Sequence, residues 1–212
     1  GYAAGGWWVQ DLAATLPARL LGAGDGRTVL DLCAAPGGKT MQLAAAGWNV
    51  VAVDASAKRL ERLGANLARP GIVHADIRSW TPAAPADAVL LDAPCSATGI
   101  FRRHPDVLHR IEQRQIDEMA ALQRDLLQRA AAWIKPRGTL VYATCSLERA
   151  EGEEQVAAFL DRNPAWRIVP VEPTELPDAI EPDPDGFVRT LPGSLAEAGG
   201  LDGFFVARLL AP

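Results

Sequence analysis

Five short apolar runs recur along this chain, and each ends beside a residue with a chemical use. They are Thr28–Asp31, Val50–Asp54, Ile72–Ala75, Ala88–Asp92 and Thr139–Thr144. Three close on an aspartate, the third is followed by Asp76 and the fifth by Cys145. Near-continuous Val, Leu and Ile runs of this length fit strands of a parallel sheet covered on both faces. Helical stretches alternate with them: Lys39–Ala46, Ala57–Ala68, and one long helix predicted from about Asp106 to Trp133. That helix carries Leu108, Ile111, Met119, Leu122, Leu126 and Trp133 as an amphipathic stripe. Lys135–Gly138 closes it before the fifth strand, and Glu153–Arg162 predicts a further helix ended by Asn163–Pro164.

Beyond Trp166–Val171 the prolines of Glu172–Gly186 forbid regular structure. Phe187–Leu191 and Gly203–Leu210 then alternate as antiparallel strands do. This order of elements predicts a doubly wound, three-layer α/β fold. The 212 residues are read as one domain, with 1–25 as a helical lead-in and 172–202 as an irregular insertion before the last strand. An apolar content of 49% supports a sizeable core. No run approaches the ~20 apolar residues of a membrane span, and no signal sequence opens the chain.

Cysteine usage and charge narrow the setting. Three cysteines without a pairable pattern argue against a disulfide framework and fit a reducing cytosol. The lack of a CxxC or His–Cys cluster argues against zinc. The net charge of −5 is unevenly placed: Leu147–Asp185 holds 11 acids against 3 bases, so the remainder is basic. Its cations are nearly all arginine, with Lys39, Lys58 and Lys135 as the lysines. Arginine suits bidentate phosphate contact, although a GC-rich coding sequence yields the same enrichment.

Asp31–Thr40 reads DLCAAPGGKT, a strand-end acid leading through a glycine turn into a helix. A phosphate-binding P-loop requires glycine where Cys33 stands. A dinucleotide fingerprint requires three spaced glycines, and only Gly37 and Gly38 are present. What remains is a compact turn without a diphosphate clamp. Asp54 is placed to accept from both ribose hydroxyls, and Asp76 from an adenine amino group. An adenosine held without a phosphate clamp points to S-adenosyl-L-methionine. Taken singly, either acid would equally cap a helix or loop.

Two cysteines complete the pattern, in Pro94–Cys95–Ser96 and Thr144–Cys145–Ser146, each just past an apolar run. With DLCAAPGGKT, VDAS at Val53–Ser56, LLDAPCSATGIFRRHPD at Leu90–Asp106 and TLVYATCS at Thr139–Ser146, the chain resembles the bacterial Fmu/Sun (RsmB-like) RNA cytosine-5 methyltransferases. Val9–Asp11 and Asp202–Leu209 fit the same family's first helix and last strand. Departures fall at Thr15, where the family often has Gln, and at Arg149–Gly152, where it has Pro-Glu-Glu-Asn.

The resemblance implies a class I, Rossmann-like fold: a mostly parallel seven-stranded sheet with an antiparallel terminal strand. It implies a cofactor site at Cys33, Ala34, Ala35, Pro36, Gly37, Gly38 and Lys39, with Asp54, Asp76 and Asp92. Composition does not choose between the two thiols. The family pattern makes Cys145 the nucleophile that adds to cytosine C6, with Cys95 assisting release. By the same analogy Asp92 bonds the cytosine ring edge and Lys39 helps hold the base, while Cys33 only packs. Arg102, Arg103 and His104, followed by His109, Arg110 and Arg114, form a basic patch where RNA phosphates would pass. The expected partner is RNA, above all small-subunit ribosomal RNA, with tRNA, other RNA or DNA as alternatives. A non-catalytic cofactor- and RNA-binding module would share the fold but has no need of both cysteines. The expected protein is a cytoplasmic monomer without metal, lacking the family's N-terminal RNA-binding domain.

Overall fold

The computed structural model describes residues 7–66 and 71–212. The start of the lead-in (1–6) and the end of the second predicted helix (67–68) lie outside the described residues. In chain order the elements are α1 Leu12–Arg19, β1 Thr28–Leu32, α2 Gly38–Ala45, β2 Asn49–Asp54, α3 Ala57–Asn66, β3 Gly71–His74 and β4 Ala86–Asp92. They continue with α4 Val107–Arg110, α5 Gln113–Ala131, β5 Ile134–Thr144, α6 Glu153–Arg162, β6 Arg167–Ile168, β7 Val188–Thr190 and β8 Phe204–Leu210.

Strands β3, β2, β1, β4 and β5 lie side by side in that order, all parallel. β8 closes the far side antiparallel to β5. The sheet is seven positions wide but has eight strands, because β6 and β7 both pair with β8 at different heights. The reversal of strand order at β1/β4 opens a crevice above the strands' carboxyl ends, the usual ligand position in such sheets.

Strand residues alternate between two cores. Leu30, Leu32, Val89, Leu91, Leu140 and Tyr142 pack with Leu126 and Leu127 of α5 and Phe159 of α6. Val29, Ala88, Leu90, Val141 and Ala143 pack with Leu16 of α1 and Leu43 of α2. Both faces are therefore covered, which is why the runs read as continuous rather than alternating. Truncating one of the fully buried leucines to alanine costs about 2–5 kcal/mol.

Three sequence expectations change. The long helix is two helices, α4 and α5, because Ile111 is extended (φ −84°, ψ 130°) and Glu112 starts a new helix. The Glu112 amide donates to the Gln115 side chain at 2.9 Å, one half of a capping box. Lys135–Gly138 bulges within β5 rather than preceding it: Ile134 pairs with Ala86, and pairing resumes at Thr139 and Ala88. The irregular stretch from Glu172 to Asp202 also enters the core, burying Leu176, Ile180 and Leu201 against the α1 side of the sheet.

Candidate active site

The cofactor and thiol residues singled out for chemistry lie at or just past the carboxyl ends of β1, β2, β3, β4 and β5, and Arg102, Arg103 and His104 follow further along the loop after β4. The turn after β1 bends through Cys33 (φ 63°) and Gly37 (φ 105°), and the Ala34 amide donates to the Val53 carbonyl at 3.1 Å. Gly37 serves twice, since a Cβ there would also stand 2.9 Å from the Leu63 side chain. Asp54, ending β2, is 1% exposed and fastens this turn: its Oδ2 accepts from the Ala35 amide at 3.1 Å. Its Oδ1 accepts from the Ser56 amide at 2.8 Å and from Arg59 at 3.0 Å.

Two cavities flank the turn. The larger, about 570 Å³, is lined by Ala34, Ala35, Pro36, Gly38, Lys39, Asp92, Arg103, Cys145 and Phe204 among others. The smaller, about 180 Å³, is lined by Cys33, Asp54, Asp76, Ile77, Pro94 and Leu126 among others. Asp76 is chelated by Arg78, whose hydrogen bonds and charge hold its carboxyl below the usual range. Burial, helped by the charges of Asp92, Asp54 and Asp31, pushes the Cys33 thiol far up, which suits a packing residue.

Cys95 and Cys145 meet at an Sγ–Sγ distance of 3.4 Å, although 50 residues separate them. Both are free thiols. Cys145 borders the larger cavity and Cys95 does not. The hydrogen bond with Cys145, then burial and the Glu151 carboxylate, push the Cys95 thiol well above its ordinary range. In the contact between the two sulfurs either thiol can donate. Lys39 Nζ donates to Asp92 Oδ2 at 2.7 Å and stands 5.1 Å from the centre of the Phe204 ring. Burial works against the Lys39 charge, but Asp92 and Asp31 outweigh it and hold the ammonium above its usual range. Asp31 is fully buried; Thr40 donates to its Oδ2 at 2.6 Å, and its Oδ1 has no partner among the described residues. Burial pushes its carboxyl up to about 7.

The expected basic patch is already bonded within the protein. Arg102 pairs with Asp11 Oδ2 at 2.8 Å and donates to the Gly199 carbonyl. Arg103 chelates the buried Asp202 while lining the larger cavity, and His104 is exposed. Arg110 and Arg114 pair with Asp106 and Glu118 on their own helix surfaces. Among the described residues, no group of three or more His, Cys, Asp or Glu is placed to hold a metal. None of their helices is long and apolar enough to cross a membrane.

Sequence reasoning missed the support beneath the thiols. Ser96 and Ser146, each following a cysteine, both bond the buried carboxylate of Glu151. The pairing of cysteine with serine in both motifs was a visible signal; the acid that joins them was not. Also missed was Gly99, whose amide donates to the Cys145 carbonyl at 3.0 Å. A Cβ there would fall 2.1 Å from the Gly203 carbonyl oxygen.

Residues 18–210 match the model of the 16S rRNA methyltransferase RsmB/F family. The chain is 41% identical over 216 residues to ribosomal RNA small subunit methyltransferase B of Cronobacter sakazakii, covering 97% of this chain and 47% of that protein. It is 42% identical over 211 residues to the protein of the same name from Shewanella oneidensis, covering 95% and 47%. The chain thus spans about half the length of the curated relatives it matches. Among solved structures, NSun6 from Pyrococcus horikoshii with SFG superposes with a TM-score of 0.84 at 26% identity, covering 99% of this chain and 54% of that one.

Proposed function

Since the chain belongs to the 16S rRNA methyltransferase RsmB/F family, we propose that it is the catalytic domain of an S-adenosyl-L-methionine-dependent enzyme that methylates C5 of a cytosine in RNA, the substrate being small-subunit ribosomal RNA. The observation that carries this reading is a pair of free thiols 3.4 Å apart, one of them opening into a cavity also lined by Lys39 and Asp92. The residues present fit the cofactor. Asp54 and Asp76 line one cavity with Ile77 and Pro94, and would accept from ribose hydroxyls and an amino group where Arg59 and Arg78 now hold them. The turn from Cys33 to Lys39 would supply further contacts. When bound, S-adenosyl-L-methionine supplies an electrophilic methyl group.

Cytosine C5 is too weak a nucleophile to take that methyl unaided. The Cys145 thiolate adds to C6, which makes the ring an enamine and C5 nucleophilic, so one high barrier becomes two lower ones. Asp92, held by Lys39, bonds the ring edge and favours a proton at N3, drawing electron density from C6. After C5 takes the methyl, solvent water takes the C5 proton, and the electron pair left behind re-forms the C5–C6 double bond as the C6–S bond breaks. Cys95 serves this last stage, giving a hydrogen to the departing Cys145 sulfur. What supports this division of labour is the access of Cys145 to the cavity, which Cys95, 3.4 Å from it, does not border.

Arg103 lines the cavity and Arg102 and His104 adjoin it in the chain, where the flanking phosphates of an unstacked nucleotide would run. The enzyme is read as a monomer that needs no metal, since thiols and carboxylates complete the chemistry, and as cytoplasmic, a reading supported by three free thiols. Bisulfite sequencing of small-subunit RNA after incubation with the protein and methyl donor tests the proposal. A new protected cytosine is expected; methylation confined to tRNA or DNA, or none at all, would overturn it.

A further inference from the structure

Glu151 sits in a 3-10 turn after β5, fully buried, with its carboxylate aimed at both cysteine-bearing loops. Its Oε1 accepts from the Ser96 amide at 2.8 Å and from Gln123 Nε2 at 3.0 Å. Its Oε2 accepts from the Ser146 hydroxyl at 2.5 Å and from the Ser96 hydroxyl. The same Gln123 amide reaches the carbonyl of Pro94, directly before Cys95, at 2.8 Å. The Glu151 carbonyl accepts from Tyr142 at 2.7 Å, so the backbone carrying the acid is itself fastened to β5.

Ser96 and Ser146 are the chain neighbours of the two thiols, so one carboxylate fixes the spacing between Cys95 and Cys145. A backbone placed by the Ser96 amide and two hydroxyls has little freedom left, because each donor would be left unpaired in the interior if it moved. We infer that Glu151 is a positioning residue for the thiol pair: by clamping Ser96 and Ser146 it holds the two sulfurs within reach of one another. The consequence for methyl transfer rests on the function proposed above; the clamp itself does not.

The test compares the full chain with Glu151→Gln and with Ser96→Ala/Ser146→Ala, which removes both hydroxyl donors and leaves the acid in place. Diamide joins neighbouring thiols: an S–S bond forms and the two thiol hydrogens pass to the azo bond, giving the hydrazine. Peptide mass mapping follows the rate at which Cys95 becomes linked to Cys145, and thermal unfolding shows that each variant is folded. In the folded double variant we expect linkage slowed about tenfold. The kcat for methyl transfer falls about 10- to 100-fold, with KM for the methyl donor unchanged. Glu151→Gln, which keeps an acceptor oxygen, falls between it and the parent. Unchanged linkage and kcat in a folded double variant would overturn the inference, as would a loss accounted for by KM alone. If the parent chain transfers no methyl group yet linkage slows in the variants, the clamp stands and the proposed reaction falls.

Discussion

The ends of β4 and β5 and the end of β1 each have a buried acid beneath them, and the two acids are treated oppositely. Under the thiols, Glu151 receives four donors spread over both oxygens. Under the glycine turn, Asp31 receives one donor from Thr40 on one oxygen and none on the other among the described residues. A buried carboxylate whose lone pairs all meet donors is held in place, because moving it would leave those donors unpaired. Glu151 works as such a staple, whereas burial pushes the Asp31 carboxyl up to about 7. The difference separates a region built for unvarying geometry from one whose charge changes near neutral pH, and both face the same crevice.

The largest effect lies on the thiol side. On the proposed mechanism Cys145→Ala removes the attacking sulfur, and methyl transfer in a radiolabel assay should fall at least about 1000-fold; retained turnover, with Cys95→Ala inactive instead, would exchange the roles. On the same mechanism Cys95→Ala should leave attack intact and slow release. A protein–RNA adduct that survives denaturing electrophoresis should accumulate, and its absence would remove the release role.

The β1 side answers to pH. A carboxyl whose folded pKa is raised binds its proton more tightly folded than unfolded, so stability falls as pH rises from 3.8 to about 7. The slope is at most about 1.4 kcal/mol per pH unit. Asp31→Asn has nothing to titrate there and should lose that slope in urea unfolding midpoints; an identical pH profile for both proteins would refute the assignment. The smallest effect belongs to Arg103, whose charge Asp202 already meets. Arg103→Gln should reduce the salt dependence of RNA binding by no more than about one unit of log–log slope, and a larger drop would mean the ion pair opens on binding.

The strand ends were legible because in a doubly covered sheet the apolar run stops where the chemistry begins. Asp31, Asp54, Asp92, Cys95 and Cys145 all stand at such stops, and the structure brings the latter two together. Glu151 was hidden among the acids of Leu147–Asp185, and nothing local distinguishes it from its solvated neighbours. Its partners Ser96 and Gln123 are 55 and 28 residues away, so its role exists only in the fold. Arg102 and Arg103 of the basic patch were visible, but their partners Asp11 and Asp202 lie more than 90 residues off. The break at Ile111–Glu112 escaped notice because the apolar stripe runs through it, and a Glu in place of the usual Ser, Thr, Asp or Asn begins the next helix.

The proposed reaction requires a sulfur of this protein to become bonded to the target pyrimidine. Fluorine at C5 blocks loss of the C5 proton, so an RNA substrate containing 5-fluorocytosine should become fixed to the protein when methyl donor is present. Peptide mass mapping should place the link at Cys145. Full methyl-transfer activity on ordinary RNA without any such adduct, or an adduct only at Cys95, would contradict the account.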